Sequence, residues 1–460
     1  MFFENLIPVE APAYIVPESR DKFTAIFKRV HERMDKLEEA LSMTGLRGEV
    51  FSKAIRPLMG DLNKVDIPQL DRMDAQSIAA AANLMAMGIN DAEVPDRMVW
   101  PNCLTMVDTA FVTTKEWEAI RCLGIGGSDS ACIQNIGYSS AQEIYYGKIG
   151  HPAAEEVIDR GKQFIFDFGH KVEPLVIDHF CRRSGAIPIE ETRMFAHKDY
   201  PFLTANIDKL VRFPDGRIFV FEAKTTTEWN KYSWYADGIP RQYVPQCHKY
   251  PIVLNDDRIC GTYIGCIYGN TADMFACSLV ERNAAVEAEQ LETEVKFWTQ
   301  YVEKGTPPPY SGNAEKDLRI TTELIGDADK SLPDVALDFD KLGENITVYL
   351  NLKEKRKQYE ESAKNLKSQM DELSLDIITA LGQATKGTCV CPAEYAPDDG
   401  VYDVVATYVP FSKTKVDTER LKDRYPEAFE ECVTVDPCDH RVFKLDLKKQ
   451  KKVKAKAKKN

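Results

Sequence analysis

Asn206-Ile207-Asp208-Lys209-Leu210-Val211-Arg212-Phe213-Pro214-Asp215-Gly216-Arg217-Ile218-Phe219-Val220-Phe221-Glu222-Ala223-Lys224-Thr225 decides how this chain reads. Pro214-Asp215-Gly216 has the fixed φ and the glycine that a tight reversal wants, so the runs on either side are expected to pair as strands. Strand side chains alternate, which sets Ile218, Val220, Glu222 and Lys224 on one face of a half-buried strand. Asp208 on the neighbouring strand then comes opposite Glu222. Two carboxylates so placed can hold a hard divalent cation, with the lysine beside them, which is the layout for metal-assisted phosphodiester hydrolysis. The same residues also suit an exposed hairpin with a surface ion pair.

Working outward, Pro240 to Tyr250 opens a helical stretch in which Gln246 and Tyr250 lie one turn apart on the same side. Upstream, Asp159 to Gly185 carries Phe164, Phe168, Val172, Val176 and Phe180 at helical period and stops at glycine. Glu173 lies beside that stripe, and Pro174 after it predicts a kink or a restart. Further upstream, Gly126-Gly127-Ser128-Asp129 lets backbone approach an anion, and Arg121 offers a guanidinium fork to the same oxygens. An ordinary helix cap at Ser128 or Asp129 is the alternative. Ser140-Ala141-Gln142-Glu143 reads as a structural capping box.

Five elements now stand in order: Arg121 through Ile125-Gly126-Gly127-Ser128-Asp129, Gly169-His170-Lys171-Val172-Glu173-Pro174, Asn206-Ile207-Asp208, Glu222-Ala223-Lys224, and Gln246 with Tyr250. Together they resemble the lambda-exonuclease-like, or YqaJ, viral recombinases of the PD-(D/E)XK nuclease superfamily, over about residues 117 to 270. The family often has Pro-Asp-Gly at the first metal carboxylate, where this chain has Ile207-Asp208-Lys209, a departure that touches turn geometry and keeps the ligand.

The resemblance implies an α/β fold: a restriction-endonuclease-like core with a mixed central sheet flanked by helices. It implies Mg²⁺ or Mn²⁺ on Asp208, Glu222 and the carbonyl of Ala223, with Glu173 completing the site or serving a second ion. Lys224 would orient or help deprotonate the attacking water, and Gln246 and Tyr250 would position water or backbone. His170 reads as a surface histidine before a ligand. Arg121 and Ser128 inherit the pocket for the 5′-terminal phosphate. The implied activity is a 5′ to 3′ exonuclease on linear double-stranded DNA that leaves 3′ overhangs for recombination of the phage type. Double-stranded DNA ends, a single-strand annealing protein and a homo-oligomeric ring are the implied partners. An endonuclease with the same carboxylates, or a non-catalytic DNA-binding or interaction protein of this fold, are the alternatives.

Composition frames these expectations. The 460 residues, 44% of them hydrophobic, support two or three domains. The start lacks a basic, apolar leader, and Ile78 to Ile89 is too short to span a bilayer, so a soluble protein of the (bacterial host) cytoplasm is expected. Twelve cysteines are scattered without a C-x-x-C, which favours free thiols over disulfides. Cys389, Cys391, Cys432, Cys438 and His440 form the alternative, a zinc site. The net charge of -13 opposes phosphate binding as a whole. Lys448 to Asn460, however, is a cationic arm, expected to be disordered, on an acidic body.

The expected organisation is a helical module over 1–110, the nuclease core over 111–304 and a linker over 305–345. A heptad-patterned helix over 346–382, a small α/β piece over 383–447 and the lysine tail over 448–460 follow. The first module rests on Phe23, Ile26, Phe27, Val30, Met34, Leu37 and Leu41, an amphipathic stripe expected to build that module's own core. Leu352, Tyr359, Ala363, Leu366, Met370, Leu373, Ile377 and Ala380 carry the heptad. That pattern serves either a coiled coil between subunits or an arm folded on its own chain.

Overall fold

The stripe on Pro17–Thr44 is where the core begins: α1 spans those residues and buries Phe23, Ile26, Phe27, Val30, Met34 and Leu37. The computed structural model describes residues 6–60, 67–89, 98–154, 160–227, 230–235, 238–326, 329, 331–395, 402–409, 418–427 and 429. Two units divide the chain, Met1–Gly326 and Asp327–Asn460. After α1 come α2 (Gly48–Met59), α3 (Pro68–Arg72) and α4 (Ala75–Ala86). Helices α3 and α4 are separate because the Asp74 carboxylate accepts from the Ser77 N–H at 2.7 Å and restarts the chain as an N-cap.

The stripe of α1 does not pack within residues 1–110 alone. Its core continues through β1 (Cys103–Asp108) and α5 (Thr114–Arg121), with Met106, Val107, Phe111 and Ile120 in the same cluster. A buried ion pair ties the two segments, with Arg33 Nη1 at 2.6 Å from Glu116. Removing one partner of such a pair leaves a charge without water, at a cost of about 3–5 kcal/mol.

The chain then runs through α6 (Gly127–Ile133), α7 (Ala141–Lys148) and α8 (Arg160–Ser184). Pro174 sits inside α8 without ending it. One missing hydrogen bond is tolerated here because the following turns are anchored by buried Val176, Ile177, Phe180 and Cys181. The N-terminal turns are not anchored, and Phe164 and Phe168 stay exposed, contrary to the single stripe the spacing predicts.

A three-stranded antiparallel sheet, in the order β1-β3-β4, uses β3 (Arg193–His197) and β4 (Thr204–Asn206). A five-stranded sheet runs in the order β2-β5-β6-β7-β8, with β2 (Ile187–Ile189), β5 (Lys209–Arg212), β6 (Ile218–Thr225), β7 (Ile259–Ile267) and β8 (Phe275–Glu281). Strands β6 and β7 are parallel, and the other neighbours in that sheet are antiparallel. The architecture is mixed α/β. The run read as one strand before the Pro214 turn is thus two strands in different sheets, and the chain changes sheet at Ile207-Asp208.

Strand β6 buries both faces rather than one. Phe219 and Phe221 pack on Val176, Ile177 and Phe180 of α8, with the rings of Phe180 and Phe221 4.6 Å apart. Ile218 and Val220 join Leu210, Tyr250 and Val253. The parallel connection explains this, because the crossover from β6 to β7 runs through α9 (Tyr232–Tyr235) and α10 (Val244–Leu254) and covers the second face. Helix α11 (Ala284–Phe297) backs α10: Lys249 of α10 and Glu294 form a fully buried ion pair, and Gln290 donates to the Pro245 carbonyl at 2.9 Å.

Residues 305–345, expected as a linker, contain α12 (Ala314–Ile325), which folds back on α7. Arg319 pairs with Glu143, Lys316 donates to the Gly137 carbonyl, and Gln142 donates to the Pro308 carbonyl at 3.0 Å. Ser140 caps α7 by accepting from the Glu143 N–H at 3.2 Å, while the Glu143 carboxylate is spent on Arg319.

In the second unit, α13 (Phe339–Leu381) contains the heptad pattern and starts seven residues before the expected boundary. Within that unit the stripe from Leu352 to Ile377 is not buried. An antiparallel pair, β9 (Lys386–Val390) and β10 (Asp403–Thr407), and the short α14 (Thr418–Arg424) follow. The lysine tail, Cys432, Cys438 and His440 lie outside the described residues. Among the described residues, no helix is long and apolar enough to cross a membrane.

Candidate active site

The ladder between β5 and β6 ends at Lys209 opposite Phe221, which leaves the last residues of β6 without a strand on that side. Asp208 takes the vacated place. Its Oδ2 accepts from the Ala223 N–H at 2.9 Å. In an extended strand the N–H and C=O of one residue point to the same neighbour, so the Ala223 carbonyl faces Asp208 as well.

Glu222 projects from the other direction of the pleat, 2% exposed, and is the hub of the site. Its Oε1 accepts from Lys224 Nζ and from Gln246 Nε2, the latter at 2.7 Å. Its Oε2 accepts from the Tyr250 hydroxyl. Gln246 also donates to the Tyr250 oxygen at 2.8 Å, a contact that one helical turn of α10 brings about. The interval of two residues on a strand and four on a helix therefore meet at one carboxylate.

Charge in this cluster is unbalanced. Loss of hydration pushes the Asp208 carboxyl well above the ordinary range, and repulsion from Glu222 and Glu173 adds to it. Glu173 is also raised, first by burial, with the negative Glu222 outweighing part of the relief from His170. Burial alone would lower Lys224, yet Glu222 and Asp208 hold it above its ordinary value, as an ammonium. One lysine does not neutralise three carboxylates. The donors are all oxygens, which fits a hard divalent cation held by Asp208, Glu222 and the Ala223 carbonyl. Among the described residues no three His, Cys, Asp or Glu groups are placed to hold one ion. Glu173 thus lines the cavity without closing a three-carboxylate ligand set. His170 is a surface side chain, 75% exposed and 4.0 Å from Glu173.

The arm that carries Arg121 and Ser128 opens into the same cavity, of about 460 Å³. Arg121 Nη2 donates to Ser128 Oγ at 3.0 Å, and its guanidinium lies 4.5 Å from the Trp117 ring centre. The glycines here serve close approach. A Cβ on Gly124 would fall 2.7 Å from the Phe202 carbonyl oxygen, and one on Gly127 would fall 3.0 Å from Gln246. Asp129 does the capping: its carboxylate accepts from the Gly126 N–H at 2.8 Å and pairs with buried Lys148 at 2.6 Å. That leaves the Ser128 hydroxyl on the cavity. Despite burial, which opposes it, the charges of Lys148 and Arg121 keep the Asp129 carboxyl below its usual range.

All nine side chains or backbone groups singled out in the sequence, Arg121, Ser128, Glu173, Asp208, Glu222, Ala223, Lys224, Gln246 and Tyr250, line this one cavity. Sequence reasoning passed over Trp117, Ile165, Phe166, Thr204, Asn206 and Thr225, which line it too. Trp117 was findable, one helical turn before Arg121. Asn206 was findable as well, two residues before Asp208 in the Asn206-Ile207-Asp208 element. Phe166 carried no such signal.

Residues 116–255 match the family model described as the YqaJ-like viral recombinase domain, a span that holds all nine positions. The chain is 25% identical over 317 residues to the uncharacterized protein YqaJ of Bacillus subtilis (strain 168), covering 68% of this chain and 89% of that protein. Among solved structures it is similar to an alkaline exonuclease (LHK-Exo) from Laribacter hongkongensis. That likeness has a TM-score of 0.34 and 20% identity, over 42% of this chain and 94% of the other. The complex of LHK-Exo with dAMP matches with a TM-score of 0.34 and 19% identity over the same shares.

Proposed function

We propose that the YqaJ-like viral recombinase domain carried by residues 116–255 is a PD-(D/E)XK-type nuclease, a divalent-metal-dependent 5′ to 3′ exonuclease on linear double-stranded DNA. The observation that carries this reading is the sharing of one cavity by two different devices. One is a carboxylate pair with a lysine, suited to phosphodiester hydrolysis. The other is an Arg–Ser pair suited to a phosphate monoester.

Asp208, Glu222 and the Ala223 carbonyl would hold Mg²⁺ or Mn²⁺, which supplies Lewis-acid stabilisation of the charge developing on the phosphate and makes water more acidic. The chain's own groups then have separate tasks. Gln246 and Tyr250 hold the Glu222 carboxylate in one orientation by donating to both its oxygens. Lys224 orients the attacking water or a phosphate oxygen by donating a hydrogen bond, or helps deprotonate that water. Arg121 offers a charged fork and Ser128 a hydroxyl to the terminal phosphate of the strand being digested. Recognition of an end beside the hydrolytic groups is what turns a general nuclease into an exonuclease. The 3′ overhang left behind would pass to a single-strand annealing protein.

Digestion of end-labelled linear duplex, with and without a 5′ phosphate and with and without EDTA, tests the reading. Release of mononucleotides from the 5′ end, faster with the phosphate and abolished by chelation until Mg²⁺ or Mn²⁺ is restored, is expected. Cleavage of a closed circle would instead identify an endonuclease. Intact duplex in the presence of manganese would leave a non-catalytic binding protein.

A further inference from the structure

We infer that Tyr243, which lies outside the cavity lining, is the positioning residue for Lys224; this rests on the hydrolytic reading of the site. Lys224 has a long flexible side chain on the last turn of pleat before β6 ends at Thr225. Its ammonium touches Glu222 on one side, and on the other lies 5.3 Å from the centre of the Tyr243 ring. A carboxylate alone, two residues away on the same strand, would draw the ammonium down along the sheet. The ring face, being the negative side of an aromatic quadrupole, gives the cation a second attraction from a different direction.

The ring is itself held on two sides. Trp234, buried in the crossover, stacks on it with centroids 5.6 Å apart and planes 29° apart. Its hydroxyl makes a 2.9 Å hydrogen bond with the Tyr138 hydroxyl, and Gln242 donates to that same oxygen at 2.9 Å. Tyr243 enters α10 just before Gln246, so the helix that steadies Glu222 also delivers the ring that steadies Lys224. Two groups from two other segments, Trp234 and Tyr138, thus fix an aromatic face that meets the Lys224 ammonium. A side chain that packs only for stability has no need of that alignment.

The test is steady-state digestion of linear duplex by the full chain carrying Y243L, Y243F or Y138F, with DNA affinity measured separately in Ca²⁺. Y243L is expected to lower kcat by about tenfold or more, the scale of a desolvated cation–π contact, with KM and DNA affinity within about twofold of wild type. Y243F keeps the ring and is expected within about threefold of wild type, and Y138F likewise. If Y243L melts well below wild type, Y243M, unbranched and of similar reach, takes its place with the same expected loss. Wild-type kcat in the ring-less variant, or a loss confined to KM, overturns the inference while leaving the nuclease reading intact. A wild-type chain that digests no DNA overturns that reading instead.

Discussion

The two ends of the cavity are built differently. At the β6 end, Glu222 is 2% exposed and receives three donors from two elements, and Lys224 is held between that carboxylate and a ring. At the α5–α6 end, Arg121 and Ser128 share a 3.0 Å hydrogen bond on an exposed surface, Arg121 lies over Trp117, and the Asp129–Lys148 pair is buried beneath them. Groups that must already be in place when charge develops are locked, because reorganising them during the reaction would add to the barrier. On the proposed function, the groups that would catch and release successive chain ends stay open to water, where their interactions are weaker and reversible.

If the locked end does the chemistry, K224A should lower kcat by about 10²- to 10³-fold while DNA binding in Ca²⁺ is kept. Unchanged digestion would sink the contrast altogether. At the open end, R121A should raise KM by about ten- to a hundredfold on 5′-phosphorylated ends, the scale of a charge-assisted hydrogen bond, and erase the preference for them. A fall in kcat with an unchanged KM would show that this end is locked too. S128A should cost about fivefold in KM on the same substrate. The smallest effect sharpens the boundary between the ends. Asp129 is depressed in the folded protein, so its stabilisation is full above the ordinary carboxylate range and is lost as pH falls through the lowered value. Thermal melts should therefore show D129N below wild type at pH 7, with the gap narrowing on acidification; a constant gap would remove the charge pair from the account.

Legibility followed the length over which a pattern is local. Glu222 and Lys224 were placed on one face by strand alternation, and Gln246 and Tyr250 by one helical turn, and these are contacts of neighbours along one element. Asp208 was harder, since its place depends on a chain that leaves one sheet and enters another at Ile207-Asp208. The half-buried reading of the Ile218–Thr225 strand failed because Phe219 and Phe221 meet α8, whose approach no spacing encodes. The stripe on α8 failed in the opposite sense, with Phe164 and Phe168 apolar and in phase yet exposed. The proline run near Pro308 reads as a linker, yet hydrogen bonds from α7 and α12 hold the segment against the rest of its unit.

By itself the sequence determined which side chains share a face: a carboxylate and a lysine on one strand, an amide and a phenol on a helix. Bond geometry and the repeat of each element are enough for that. Only the tertiary structure decided that these faces converge on Glu222, that Tyr243 closes over Lys224 from a separate segment, and that the Arg121 arm opens into the same cavity. Distances between elements are set by which apolar surfaces are buried against one another, a property of the whole unit that no local repeat contains.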